Sequence, residues 1–195
     1  QKMSENLILA STSIYRSRLL EQLAIPFRQR APDYDEHVID NEAAESRCKR
    51  LAEGKAHSLT QSVASSDIIL GSDQVAHLED GTLLNKPGDF DHARAQLMRC
   101  SDQWVSFSTG ICLVRESRSL IVDSETYRIR FRPLTKPTIE SYLERDQPYD
   151  CAGSIKAEGL GITLLADAEG RDVNTLYGLP LMLLTDHLIN LDIIP

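Results

Sequence analysis

The predicted functional site is centred on the sequence LILASTSIYRSR, residues 7–18. Its three apolar residues and the small alanine after them predict a short buried strand, and the three hydroxyl residues that follow predict a turn. Ser13 is placed to cap a helix, whose unpaired backbone N–H groups would attract an anion such as phosphate. Arg16 would add a planar, two-pronged donor to the same anion. The alternative is an ordinary capped helix with a solvated arginine.

Length and composition are typical of a soluble globular protein with 195 residues, 42% hydrophobic and 26% charged. The net charge of −8 argues against general affinity for nucleic acid, although a local basic pocket could hold a small anion. No apolar run has membrane-spanning length, and the N-terminus lacks a signal peptide's apolar core, so we expect no membrane partner. The four cysteines are far apart in the sequence, at Cys48, Cys100, Cys112 and Cys151. This spacing predicts reduced, cytoplasmic thiols rather than zinc ligands or disulfides.

The order of predicted elements indicates an α/β fold with a mixed sheet, because helices and strands alternate early and strands dominate the middle. Strands are predicted at residues 7–10, 26–31, 67–76, 104–116 and 120–132. Helices are predicted after Ser13 and at residues 41–62, 89–100, 135–145 and 179–191. The third strand is expected to break at Gly71 and resume. After a turn at residues 79–82, a returning strand is expected to deliver Lys86.

Two lysines and two acids stand in unusual places. Lys55 falls among the apolar positions of its helix, so either its stem snorkels to water or its ammonium meets an anion in a cleft. Together with Lys86 and the acids Glu36 and Asp73, it suits a nucleotide polyphosphate with a divalent ion. Such chemistry also needs a group that orients or deprotonates water, and Asp73 is the best candidate.

Five motifs, in this order, resemble those of the Maf-like nucleotide pyrophosphatases: LASTS with its following arginine and leucine pair, APDYDE, GSDQV, Lys-Pro and AGSxxxEGxG. The resemblance runs from Leu7 to Leu181. It implies one domain over residues 1–195, with a mixed, strongly twisted sheet, flanking helices and two lobes around a cleft, as in inosine-triphosphatase-like proteins. It also implies hydrolysis of nucleoside triphosphates to monophosphate and pyrophosphate with Mg²⁺ or Mn²⁺. Analogy with the family allows a homodimer.

The resemblance also assigns roles to individual positions. Asp73 takes the place of the family's proton acceptor, and Glu36 and Asp73 would hold the metal ion. The implied phosphate-binding residues are Ser11, Ser13, Arg16, Lys55 and Lys86. One departure is Ile14, where family members usually have proline at the first helical position.

At three positions the residue types resemble those of the family branch that hydrolyses 7-methyl-GTP. These residues are Tyr15, Gln74 and Glu158. The branch that prefers dTTP and UTP tends to have Arg, Thr and Gln there. Methylation at N7 gives guanine a positive charge, which favours stacking on an aromatic ring by about 0.5–2 kcal/mol. A carboxylate such as Glu158 can accept hydrogen bonds from N1–H and the exocyclic amine of that base.

Other functions stay open at this point. Within the enzyme class, the chain could be a pyrophosphatase for dTTP, UTP or modified pyrimidine nucleotides. From another class, it could be a nucleotide-binding regulator of septum formation, the process from which the family takes its name. Asp73 and the two lysines favour an enzyme, because a sensor has no need of a water-activating acid. An inosine-triphosphate hydrolase has no motif support.

Overall fold

The computed structural model describes residues 6–195, so the expectation about a signal peptide falls partly on residues 1–5, outside the described range. The strands are β1 (Leu7–Ala10), β2 (Phe27–Arg30), β3 (Ile68–Leu78), β4 (Trp104–Arg115), β5 (Arg118–Phe131) and β6 (Leu165–Glu169). The helices are α1 (Ile14–Glu21), α2 (Ala44–His57), α3 (Phe90–Cys100), α4 (Lys136–Asp146), α5 (Asn174–Tyr177) and α6 (Leu181–Asn190). Short 3₁₀ turns at Ala152–Ser154 and Leu160–Leu164 interrupt the glycine-rich segment before β6.

All six strands form one sheet in the order β2-β1-β3-β4-β5-β6. β1 runs parallel to both β2 and β3, whereas the pairs from β3 to β6 are antiparallel. Parallel neighbours need crossover connections, which here contain α1 and α2. The predicted α/β class with a mixed sheet and flanking helices is therefore confirmed.

The expected break in the third strand is wrong, because β3 continues through Gly71 to Leu78. A Cβ atom at this position would lie 2.1 Å from the carbonyl oxygen of Ala52 on α2. The glycine therefore serves a close approach between helix and strand rather than a turn. This approach places α2 directly over the part of β3 that carries Asp73.

Other predicted boundaries also change. The prediction of a returning strand before Lys86 is wrong, because the residues there form only an isolated antiparallel bridge, between His77 and Leu83. The second helix begins three residues after Asn41, whose φ of 59° is left-handed. β6 was not predicted from the sequence, and it extends the sheet by pairing with β5.

Three buried clusters form the core. One packs α3 and α4 against the start of β4 and the end of β5, and it contains Phe107 and Phe131. A second packs α1 and α6 against β1 and β3, and a third packs α2 against the other face of those strands. None of the helices within residues 6–195 combines the length and hydrophobicity that a bilayer crossing requires.

Candidate active site

The start of α1 has the geometry that the sequence predicts. Ser13 is the N-cap, and its hydroxyl accepts a hydrogen bond from the backbone N–H of Arg16 at 3.2 Å. The N–H of Ser13 in turn donates to the hydroxyl oxygen of Ser11 at 3.0 Å. These hydrogen bonds form with Ile14 at the first helical position. In the first turn, the N–H groups of Ile14 and Tyr15 are left for an anion.

Arg16 is anchored by its inner nitrogen. Its Nε donates to the backbone oxygen of Gly178 at 2.8 Å, directly after α5. This leaves the terminal guanidinium nitrogens for the cavity that Arg16 lines. Burial lowers the pKa of Arg16, while the nearby charges of Asp73 and Glu36 oppose that shift. The guanidinium stays positive at neutral pH, because the ordinary arginine pKa lies far above it.

Lys55 joins the two acids that the sequence singles out. Its Nζ lies 2.7 Å from Oδ1 of Asp73 and 3.0 Å from Oε1 of Glu36. The lysine side chain is only 15% exposed, so its ammonium meets carboxylates in a cleft rather than snorkelling to water. Burial would raise the pKa of Glu36, but the hydrogen bond and charge of Lys55, with the charge of Lys86, lower it overall.

The predicted residues surround one composite cavity, made of three adjoining spaces that all share Lys55 and Lys86. Its lining includes every residue for which the sequence predicts a role, namely Ser11, Ser13, Tyr15, Arg16, Glu36, Lys55, Asp73, Gln74, Lys86 and Glu158. Cations, hydroxyls and acids therefore lie together, as binding of a polyphosphate requires.

One end of the cavity is more apolar. Its walls come from Phe107, Ile155, Ala157, Leu176 and Tyr177. The polar side chains that line this space include those of Tyr15, Gln74 and Glu158. An apolar compartment with a few placed polar groups is the usual form of a site for a planar organic ring. The charged and apolar ends together match the two halves of a nucleotide.

Arg47 is a cavity residue that the sequence analysis missed. It lies on α2 two turns before Lys55 and lines the same space as Glu36 and Lys86. Its positive charge contributes to the lowered pKa of Glu36. The helical spacing of Arg47, Leu51 and Lys55 was the available signal, because such positions share one face.

The donor set fits a hard divalent cation. Among residues 6–195 there is no group of three or more His, Cys, Asp or Glu side chains that could hold a metal. Glu36 and Asp73 do bring two carboxylates to the same ammonium. Mg²⁺ commonly takes one or two protein carboxylates and completes its shell with substrate phosphates and water. These two acids would therefore hold the ion together with a bound triphosphate.

Solved structures resemble the chain only in part. The nucleoside-triphosphatase/dITP/XTP pyrophosphatase of Mycobacterium abscessus is 14% identical, with a TM-score of 0.44 over 66% of this chain and 75% of that one. The Ham1 protein of Staphylococcus aureus is 10% identical, with a TM-score of 0.47 over 66% of this chain and 73% of that one. Neither likeness bears on the activity of this chain.

Sequence comparison places the chain in a family. The model for the family described as Maf-like protein matches residues 6–191. The 7-methyl-GTP pyrophosphatase of Pseudoalteromonas atlantica is 46% identical over 190 residues, which are 96% of this chain and 95% of the relative. That of Pseudomonas syringae pv. syringae is 45% identical over 185 residues, 94% of this chain and 95% of the relative. The chain is a member of the Maf-like protein family.

Proposed function

We propose that this protein is a nucleoside triphosphate pyrophosphatase that hydrolyses 7-methyl-GTP to 7-methyl-GMP and diphosphate. The observation that carries the proposal is Lys55, whose ammonium lies within 3.0 Å of both Glu36 and Asp73 in a cavity with a charged and an apolar end. Relatives that are 45–46% identical carry the name 7-methyl-GTP pyrophosphatase, which supports the choice of substrate.

The charged end would bind the triphosphate. Lys55, Lys86 and the terminal nitrogens of Arg16 would neutralise the phosphate oxygens. The hydroxyls of Ser11 and Ser13, with the free N–H groups at the start of α1, would complete the contacts. A divalent cation held by Glu36 and Asp73 would supply positive charge to the phosphates as pyrophosphate leaves.

Asp73 would activate the water. The water oxygen forms a bond to the α-phosphorus, its proton passes to the Asp73 carboxylate, and the bond between the α-phosphorus and the bridging oxygen breaks. Pyrophosphate leaves with the electron pair of that bond. Lys55 hydrogen-bonds Oδ1 of Asp73 and so fixes the orientation of the carboxylate. The neighbouring cations then stabilise the charge on the leaving group.

The apolar end would bind the base. Tyr15 offers an aromatic ring to the positively charged purine, and Glu158 offers a carboxylate to its N1–H and exocyclic amine. We also propose that the protein acts in the cytoplasm, where its four free cysteines stay reduced.

A panel of triphosphates tests the proposal. We expect pyrophosphate release in Mg²⁺ or Mn²⁺, with the highest kcat/KM for 7-methyl-GTP among that substrate, GTP, dTTP and UTP. Asp73→Asn should lower kcat at least about 100-fold, because general-base catalysis typically contributes 10²–10⁴. Its thermal unfolding temperature reports whether the fold is kept, and Asp91→Asn on the exposed first turn of α3 is the matched control.

The outcomes separate the candidate functions. A clear preference for dTTP or UTP would replace the proposal by a pyrimidine nucleotide pyrophosphatase. Tight nucleotide binding without turnover in the wild type would indicate a sensor instead of an enzyme. Full activity of Asp73→Asn would remove Asp73 from the role of water activator.

A further inference from the structure

Gln74 lies in the cavity wall with the nitrogen of its amide already engaged. Its Nε2 lies 3.0 Å from the backbone oxygen of Thr175 and 2.9 Å from that of Leu176, both on α5. Carbonyl oxygens only accept hydrogen bonds, so the NH₂ end of the amide must face α5. The hydroxyl oxygen of Thr109 is a third acceptor, 3.3 Å from the same nitrogen, so both N–H donors are used on this side. What Gln74 can offer a ligand is therefore its carbonyl oxygen, an acceptor.

Thr175, whose backbone oxygen accepts from Gln74, is itself held by two side-chain hydrogen bonds. The hydroxyl of Thr109 donates to the backbone oxygen of Thr175 at 2.8 Å. The hydroxyl of Thr175 donates to Oε2 of Glu125 at 2.6 Å. Both threonines are fully buried, and the side chain of Glu125 is only 14% exposed. Buried hydroxyls with defined partners keep one geometry, since leaving either group unpaired is unfavourable.

These side chains form a row across the sheet. Gln74 on β3 pairs with Thr109 on β4, and Thr109 pairs with Glu125 on β5. Directly opposite residues on neighbouring strands point to the same face. The row therefore meets α5 as one surface, and Thr175 is the residue of α5 that all three contact.

We propose that Thr109, Glu125 and Thr175 are positioning residues for base recognition. They fix α5, and α5 together with the Thr109 hydroxyl fixes the Gln74 amide with its oxygen toward the cavity. This inference rests on the proposed function, because it assigns a purpose to the oriented amide within that reaction. It adds three residues, none of which need touch the substrate.

The orientation favours a base with adjacent N–H donors. Glu158 and the oxygen of Gln74 are both acceptors, and guanine offers N1–H and an exocyclic amine on one edge. Uracil and thymine have a single N–H between two carbonyl oxygens on the corresponding edge. Those oxygens would face protein acceptors without a proton between them. A fixed amide thus discriminates against pyrimidines, whereas an amide free to rotate would accept them.

The test compares substrates in variants of Thr175. Thr175→Val removes the hydroxyl and keeps the shape, and Thr175→Ser keeps the hydroxyl. For Thr175→Val we expect the ratio of kcat/KM for 7-methyl-GTP to that for UTP to fall about tenfold, the effect of one lost hydrogen bond. The change should appear in KM for 7-methyl-GTP, with kcat within about twofold of the wild type. Thr175→Ser should restore the ratio.

A matched control and a second variant complete the experiment. Thr126→Val removes a hydroxyl from the opposite face of β5, where it pairs with Ser108 at 2.9 Å, and should leave the ratio unchanged. Thr109→Val should lower the ratio as Thr175→Val does, and it carries the test if that variant does not fold. An unchanged ratio in either folded variant, or an equal loss for both substrates, would overturn the inference. A wild type that hydrolyses neither substrate would instead overturn the proposed function.

Discussion

Lys55 balances only one of the two negative charges that it contacts. With Asp73 at 2.7 Å and Glu36 at 3.0 Å, the three side chains carry a net charge of −1. Such a group can still accept a divalent cation. Arg16 and Lys86 line the same cavity and supply the remaining positive charge. We propose that a divalent cation held by Glu36 and Asp73 adds to this positive charge when a triphosphate is bound.

At the same scale, Glu158 should determine the base preference. Glu158→Gln replaces a charged acceptor by a neutral amide, so we expect kcat/KM for 7-methyl-GTP to fall about 10- to 100-fold, the range for a hydrogen bond to a charged group. The value for UTP should change much less, because its base carries no positive charge. Steady-state kinetics on both substrates measure this effect.

Glu144→Gln on the exposed side of α4 is the control for that experiment. It removes the same charge far from the cavity lining and should leave both kinetic constants unchanged. If Glu158→Gln keeps the ranking of the two substrates, Glu158 has no part in base recognition.

At the scale of elements, α2 holds both sides of the charged site. Lys55 belongs to the helix itself, whereas Glu36 belongs to the irregular segment before it. Arg50 on α2 binds Glu42 with two hydrogen bonds of 2.8 Å and donates to the backbone oxygen of His37 at 3.1 Å. The helix therefore fastens the segment on the C-terminal side of Glu36, which keeps that carboxylate near Lys55.

Glu42→Gln should remove one source of acid sensitivity from the stability of the fold. The hydrogen bond and charge of Arg50 hold the pKa of Glu42 below its usual value of 4.5, with Arg47 and His37 adding smaller attractions. The ionised pair therefore stabilises the fold above about pH 4.5, and this contribution is lost as pH falls through the lowered pKa. We expect the variant to be less stable by about 1–2 kcal/mol at pH 7, and we expect this deficit to be smaller at pH 3.

Urea unfolding of Glu42→Gln and of the wild type, at pH 7 and at pH 3, measures the difference in their free energy of unfolding at each pH. Glu45→Gln, whose ion pair with Lys49 on α2 is exposed, is the control and should change stability little at either pH. A deficit of Glu42→Gln that persists unchanged at pH 3 would contradict a role for the ionised pair.

The elements that sequence could predict are those with a local signal. The cap at Ser13 and the apolar runs of β1 and β4 depend on neighbouring residues, and they form as predicted. Gly71 gives a local turn signal, but its reason is a contact with Ala52 from a distant helix. β6 has four exposed residues and no apolar alternation, so only its pairing with β5 defines it.

The side chains that line the cavity could be predicted from the sequence, but the backbone groups that orient them could not. Asp73, Glu36 and Lys55 are residue types with evident chemistry, and the family motifs order them along the chain. The backbone oxygen of Gly178, which anchors Arg16, and those of α5, which orient Gln74, have no residue-type signal. Their roles depend on where a four-residue helix docks on the sheet.

At the scale of the whole molecule, the cavity lies where two packed clusters meet. The cluster of α1 and α6 supports Ser13 and Arg16, and the cluster of α3 and α4 supports the Ile155–Glu158 wall. β3 and β4 extend through both clusters, which keeps the two sides in a fixed relation. We propose that a triphosphate bound on one side presents its base to the other, with its α-phosphorus beside Asp73.

Position-specific isotope labelling tests this geometry most directly. The protein is given 7-methyl-GTP in ¹⁸O-water under single-turnover conditions, and the products are analysed by mass spectrometry. We predict one ¹⁸O atom in 7-methyl-GMP and none in diphosphate, because in the proposed reaction the water attacks the α-phosphorus. Label in diphosphate, or release of labelled orthophosphate, would show attack at another phosphorus and contradict the account.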